Sequence, residues 1–212
     1  MIGAPIRHVS QPANPSDVPE SPEDAVLGHP RVACALEVCR RLKTRASDDV
    51  LLSGLLTGPH TLAVRLAGQG YSTDLLERCV RLQLALCRAF GEAGIDVIFV
   101  LEERLPKTEW SSVLAPIIKV IRFYQVLPVM LFPKLINAKG PVLPTDAISA
   151  LPEASALTPT LPAQLLSPSI EHWSLPETPG MALLTSAGEI PLNCDIPLLR
   201  ASCQRLRQSE PF

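Results

Sequence analysis

A chain of 212 residues suits one domain, or one domain with a tail, and a hydrophobic content of 47% is enough to build a packed core. A net charge of -2 gives no pull toward nucleic acid or an anionic membrane surface, and an aromatic content of 4% argues against base-stacking platforms. The 6 cysteines form no CxxC pair and no zinc-type cluster, so they read as reduced and mostly buried.

The first fifteen residues, MIGAPIRHVSQPANP, carry no apolar run of signal-peptide kind. The apolar stretches Ile95–Leu101 and Val126–Leu131 fall far short of the ~18 residues that a membrane span needs. A cytoplasmic protein with no membrane partner is expected. Residues 1–24 hold five prolines and few large hydrophobics, which cannot offset the entropy of ordering, so this segment reads as a flexible tail before a single domain over 25–208.

His29-Pro30 opens a helix in which Val32, Leu36, Cys39 and Leu42 recur near the helical period. Val50–Leu56 is a short apolar run without alternation, closed by Thr57-Gly58-Pro59, the pattern of a strand buried on both faces of a parallel sheet. A short helix follows over Thr61–Ala67. Ser72 or Thr73 caps a longer one, roughly 74–92, which Gly94 stops. Asp96–Leu101 is a second buried strand, Glu109–Tyr124 a helix, and Leu127–Phe132 a third strand.

Eight prolines between Pro141 and Pro179 limit that stretch to short pieces. Asp146–Leu151 reads as a short helix, Ala154–Leu157 and Met181–Thr185 as strands, with a further strand candidate near Leu165. Pro197–Gln208 closes the chain as a helix. Strand–helix repetition with short connections predicts an α/β fold with parallel strands and outer helices. The chain is short of the ~250 residues typical of a complete (β/α)8 barrel, so the expectation is an incomplete TIM-barrel-like fold.

Four segments carry a resemblance to a known family. Leu52–Ala63, LSGLLTGPHTLA, resembles the strand, turn and helix start of the uroporphyrinogen decarboxylases and the related corrinoid-dependent methyltransferases. Ala89–Ile98, AFGEAGIDVI, is similar to the family's helix end and next strand. Val126–Lys134, VLPVMLFPK, is similar to the strand that ends in F-x-K. Ile190–Pro197, IPLNCDIP, resembles the last strand and its turn. The resemblance runs from about Arg31 to Lys134 and resumes from about Met181 to Arg207. It implies a barrel of the TIM type with the active site at the C-terminal strand ends.

The resemblance further implies a carboxy-lyase acting on a carboxylated tetrapyrrole or a related small molecule. The departures from the family pattern bear on that. No arginine-rich motif and no F-S-D strand stand in residues 1–30. The position of the family tyrosine reads Arg65, and that of the strand-end aspartate falls near Leu101, with Glu102 and Glu103 following. The late histidine falls at or next to Cys194. In the methyltransferase branch zinc is held by an H-x-C pair and a late cysteine. Here the pair reads Phe132 and Lys134, and Cys194 alone does not make a site, so no metal and no other cofactor is expected.

The candidate catalytic groups are therefore Glu102, Asp195 and Cys194, at two strand ends. Thr57, Gly58, His60, Arg65 and Lys134 are the candidate substrate-binding residues, since N–H groups at a strand-to-helix turn can hold a carboxylate or phosphate. The plainer readings are a βα turn set by Gly58 and Pro59, a solvated Glu102–Arg104 loop and an inert Cys194. Two functions stay open: a decarboxylase-like enzyme, and a non-catalytic ligand- or partner-binding homologue or a methyltransferase-branch relative without zinc. An incomplete barrel leaves unpaired strand edges, so a homodimer is expected under either.

Overall fold

The computed structural model describes residues 22–47, 50–68, 70–103, 110–133, 147–152, 162–166, 183–186 and 194–208. Two helices lead in, α1 (Pro22–Leu27) and α2 (Pro30–Lys43). They are followed by β1 (Ser53–Thr57), α3 (Pro59–Ala67), α4 (Thr73–Glu92), β2 (Val97–Leu101), α5 (Trp110–Phe123) and β3 (Leu127–Leu131). Then come β4 (Ile148–Pro152), β5 (Pro162–Leu166), β6 (Leu183–Ser186) and α6 (Ile196–Gln208).

All six strands pair in parallel and in chain order, β1 to β6. Sequential parallel pairing, with α3–α4 and α5 as the crossovers between the first three strands, is the arrangement of a (β/α)8 barrel, of which the described residues hold six strands. The fold is thus α/β, a partial barrel of the TIM type. Asp146–Leu151 is not a helix. Ile148–Pro152 in fact pairs with β3 and β5 as a strand, because tertiary pairing overrides a weak local preference there. The strand expected over Ala154–Leu157 lies outside the described residues. Helix α1 spans the boundary placed at residue 24 and begins on Pro22, whose fixed φ suits a first turn.

The helix ends follow their residues. The Ser72 hydroxyl accepts the Leu75 N–H at 3.2 Å and so caps α4. Gly94, at φ +82, takes the left-handed conformation that ends the same helix. At the base of the sheet the Asp96 carboxylate accepts the Leu52 N–H at 2.9 Å and the Lys43 ammonium at 2.6 Å, which ties α2 to the starts of β1 and β2.

Strand alternation divides the core in two. Leu56, Ile98, Val100, Met130 and Phe132 point to the helix side, where they pack with Leu114, Ile117 and Ile121 of α5 and Cys87 of α4. Val97, Phe99, Leu101, Val129, Leu131 and Ile148 form the inner cluster on the opposite face. β1 departs from the expectation of burial on both faces. Leu56 is buried, but its neighbour Leu55, in register with Phe99, is 58% exposed on the inner side. Among the described residues β1 pairs only with β2, so no described strand on its far side covers Leu55.

Candidate functional site

The C-terminal ends of β1 and β2 meet the first turn of α3, and the hydrogen bonds of the described chain concentrate there. α3 has Gly58 at its N-cap, a residue with no side chain to satisfy the helix's first N–H groups. Glu102 does so from the neighbouring strand. Its Oε1 accepts the His60 N–H at 3.2 Å, and its Oε2 accepts the Thr61 N–H at 2.9 Å and the Thr61 hydroxyl at 2.6 Å. A carboxylate at a helix N-terminus is favoured both by these donors and by the helix dipole.

The same Thr61 oxygen accepts the Glu103 N–H at 2.9 Å, and the Gly58 N–H donates to the Leu101 carbonyl at 2.7 Å. Arg65, one turn further along α3, donates to Glu103 at 2.7 Å. The T-G-P-H-T and L-E-E segments are therefore one hydrogen-bonded unit. Gly58 is required for it, since a Cβ at that position would run into the Glu102 carboxyl group.

Glu102 continues the helix-facing series Ile98, Val100, and is 1% exposed. Burial pushes its acid constant up to about 7, against the three hydrogen bonds, which pull it down. Burial also holds His60 below the usual imidazole range, disfavouring the charged ring. Its Nδ1 lies 2.8 Å from the Tyr71 hydroxyl, while its buried Nε2 has no hydrogen-bond partner among the described residues. Tyr71 is pushed above the usual phenol range by burial and by the nearby Glu102 charge.

The structure thus joins Gly58, His60, Glu102 and, through Glu103, Arg65. The His60 and Thr61 N–H groups, read from sequence as free for an anion, are occupied by Glu102. Thr57 ends β1 on the inner face, half-buried and in register with Leu101. Lys134 lies outside the described residues. Asp195 caps α6, its Oδ1 accepting the Leu198 N–H at 3.0 Å, and half-buried Cys194 precedes it. No hydrogen bond or ion pair among the described residues links Asp195 or Cys194 to Glu102 or His60. Thr61 and Tyr71 were not singled out from sequence as site residues. Thr61 sits inside a motif that was, whereas Tyr71 is eleven positions from its partner and leaves no local signal.

The zinc set of the methyltransferase branch does not fit these residues. Phe132, at the first ligand position, is wholly buried in the aliphatic helix-side cluster and offers no donor atom. No group of three or more His, Cys, Asp or Glu side chains converges among the described residues. Nor, among them, is any helix long and apolar enough to cross a membrane.

No family model and no curated protein matches the chain. A solved methyltransferase from Methanosarcina mazei is similar in structure, with a TM-score of 0.59 over 90% of this chain and 67% of its own, at 15% sequence identity. At that identity the similarity is one of fold: the six-stranded sheet follows the backbone path of a methyltransferase.

Proposed function

We propose that this chain is a small-molecule-binding relative of the methyltransferase branch of the uroporphyrinogen decarboxylase family. Its ligand is a flat, largely apolar macrocycle of the tetrapyrrole class, received on the inner face of the sheet. The observation that carries this reading is the exposure of that face. A complete barrel fills its interior with layered side chains. Here Leu55 is 58% exposed and Leu127 is 40% exposed, with Phe99 and Leu101 half-buried in the adjacent inner cluster. An open apolar face favours a ligand that brings its own apolar area, at roughly 25 cal/mol per Å² removed from water.

The rim at the strand ends is polar. Thr57 ends the inner face of β1, and the Arg65–Glu103 pair stands one turn along α3. These groups suit the carboxylate or amide edges of such a macrocycle. The methyltransferase structure supports this branch over the decarboxylase reading, which needs an acid in the open mouth, whereas Glu102 is sealed on the helix side. Zinc-thiolate chemistry has no donor set among the described residues, so the reading is one of binding and presentation rather than zinc-activated transfer.

The test is an absorbance titration of the purified chain with hydroxocobalamin and, separately, with uroporphyrin, alongside the Leu55→Asp variant. Saturable binding of either macrocycle that weakens at least about tenfold in the variant supports the reading, a loss of about 1.4 kcal/mol. Absence of saturable binding of both, or binding untouched by the substitution, overturns it.

A further inference from the structure

We propose that the outward side of α2 is a docking surface for an acidic amphipathic helix of a partner protein. α2 carries two parallel rows at the three-and-four spacing of a helix seam. In the first, Val32, Leu36 and Cys39 pack with Ala89, Phe90 and Ala93 at the end of α4. That row finishes at Lys43, whose ammonium meets the Asp96 carboxylate at 2.6 Å. The second row lies one residue back in sequence, about 100° around the helix. It runs Arg31, Ala35, Val38, Leu42 and Arg45, and all five are exposed, Val38 and Leu42 at 48% each. The Arg45 N–H donates to the Leu42 carbonyl at 3.0 Å, which carries the row past the end of the helix.

Apolar residues scattered singly over a surface need no explanation. Val38 and Leu42 are not scattered: they stand one turn apart in a row with Ala35, and a cation closes each end. The charge of the helix selects what covers them. Between residues 30 and 45, Arg31, Arg40, Arg41, Lys43 and Arg45 stand against the acid Glu37 alone, in a chain whose net charge is -2. Glu37 is shared between Arg41 at 2.7 Å and Arg40 at 3.9 Å, so the excess stays positive. A second copy meeting this row about a two-fold axis would set these cations against their own images, which opposes self-pairing. A helix with leucines on one face and glutamates beside them instead covers Val38 and Leu42 and pairs with the arginines, whose aliphatic stems extend the apolar strip. α2 lies on the helix side of the sheet and its end is tied to the strand starts through Asp96. The surface is therefore separate from the inner face assigned to the ligand, and the two proposals fail independently.

The test uses the full chain and a fluorescent peptide of about three heptads, with Leu at its a and d positions and Glu at e and g, whose like charges keep it from pairing with itself. Its counterpart carries Lys in place of Glu. Binding is read by anisotropy at about 0.05 M and about 0.5 M salt. Saturable binding of the Glu peptide is expected, at least about tenfold tighter than that of the Lys peptide and weakened by the higher salt. Val38→Asp with Leu42→Asp is expected to weaken it at least about tenfold, and Arg31→Glu with Arg45→Glu to do the same by charge alone. All four side chains are exposed, so the urea midpoints of both variants should stay with that of the unmodified chain. Absence of saturable binding of the Glu peptide, equal binding of the two peptides, or binding untouched by either pair of substitutions overturns the proposal. A concentration-dependent dimer that is lost in Val38→Asp with Leu42→Asp would assign the surface to a second copy. Retention on phosphatidylserine vesicles lost in the same variant would assign it to a membrane. Either result also overturns the acidic helix as its occupant.

Discussion

The Thr61 hydroxyl donates to Glu102 at 2.6 Å and accepts the Glu103 N–H at 2.9 Å, so one side chain closes the join between α3 and the end of β2. Thr61→Val keeps the shape and removes both bonds. It leaves the Glu103 N–H without its partner, worth about 1–3 kcal/mol when unsatisfied, and takes from Glu102 Oε2 one of its two donors, the Thr61 N–H remaining. A loss of about 2–4 kcal/mol in urea unfolding is expected, with the slope unchanged. Thr57→Val, on the inner face, is the control. A loss below about 0.5 kcal/mol for Thr61→Val would mean that water replaces both bonds.

Glycine has two separate reasons to occur near this join, and substitution distinguishes them. Gly58 has an extended backbone, but a Cβ there would collide with the Glu102 carboxyl group. Gly68 has φ +77 and open space around it. Gly58→Ala should cost about 1–3 kcal/mol through overpacking, and the cost should shrink when combined with Glu102→Ala. Gly68→Ala should cost about 1 kcal/mol from backbone strain, with no such coupling. A double-mutant cycle on unfolding free energies separates the two cases.

Titration of the whole fold carries the Glu102 signature with a definite sign. Its folded acid constant, about 7, lies above the ordinary 4.5, so the folded state binds more protons in that window and stability falls as pH rises through it. The full effect is about 3 kcal/mol at roughly 1.4 kcal/mol per unit. Asp96 acts the other way. The Lys43 hydrogen bond holds it below its ordinary 3.8, so its contribution is present above that value and is lost as pH falls through the folded one. Stability should peak on the acid side of neutrality, and Glu102→Gln should flatten only the upper limb. A rise in urea midpoint from about pH 5 to about pH 7 would contradict the assignment.

These residues also show how far the sequence could be read. The strands around Ile98 and Val129 were legible because an unbroken apolar run has few other uses, and α4 because its caps and period agree. Glu102 was legible as a strand-end carboxylate but not as a cap. Its role depends on Gly58 lacking a side chain and on β1 lying beside β2, neither of which is a local property. The open inner face was misread for the same kind of reason. Leu55 and Leu56 are the same residue type side by side, and only the partners across the sheet decide that one is covered and the other is not.

That difference at β1 yields its own prediction. Leu55→Ser removes apolar area that the fold leaves in water, so unfolding should change by less than about 0.5 kcal/mol. Ile98→Ala, wholly buried in the helix-side cluster, should cost about 2–5 kcal/mol. Equal losses would mean that Leu55 is covered in solution, by another part of the chain or by a second copy. Sedimentation of the unmodified protein and of Leu55→Ser would tell these apart, since only the second copy changes the mass.

The cysteines offer a reactivity test of the same packing. Only Cys34 is exposed, on α2, while Cys79 and Cys87 are buried along one face of α4. Burial raises Cys79 to about 11 and Cys87 to about 12, despite the Arg78 charge that lowers the first. The thiolate is the reacting species, so near neutrality each of these two is almost wholly unreactive even before access is considered. Titration with an aromatic disulfide at about pH 8 should modify Cys34 first and half-buried Cys39, Cys194 and Cys203 more slowly. Cys79 and Cys87 should react only at the rate of unfolding. If α3 opens locally, Cys79, which packs against it with Ala63, should gain reactivity faster than Cys87. Cys87 sits deeper, in the cluster with Ile98 and Val100, and serves as the internal reference. Equal acceleration of the two would mean that α3 and α4 open together, as one unit with the sheet.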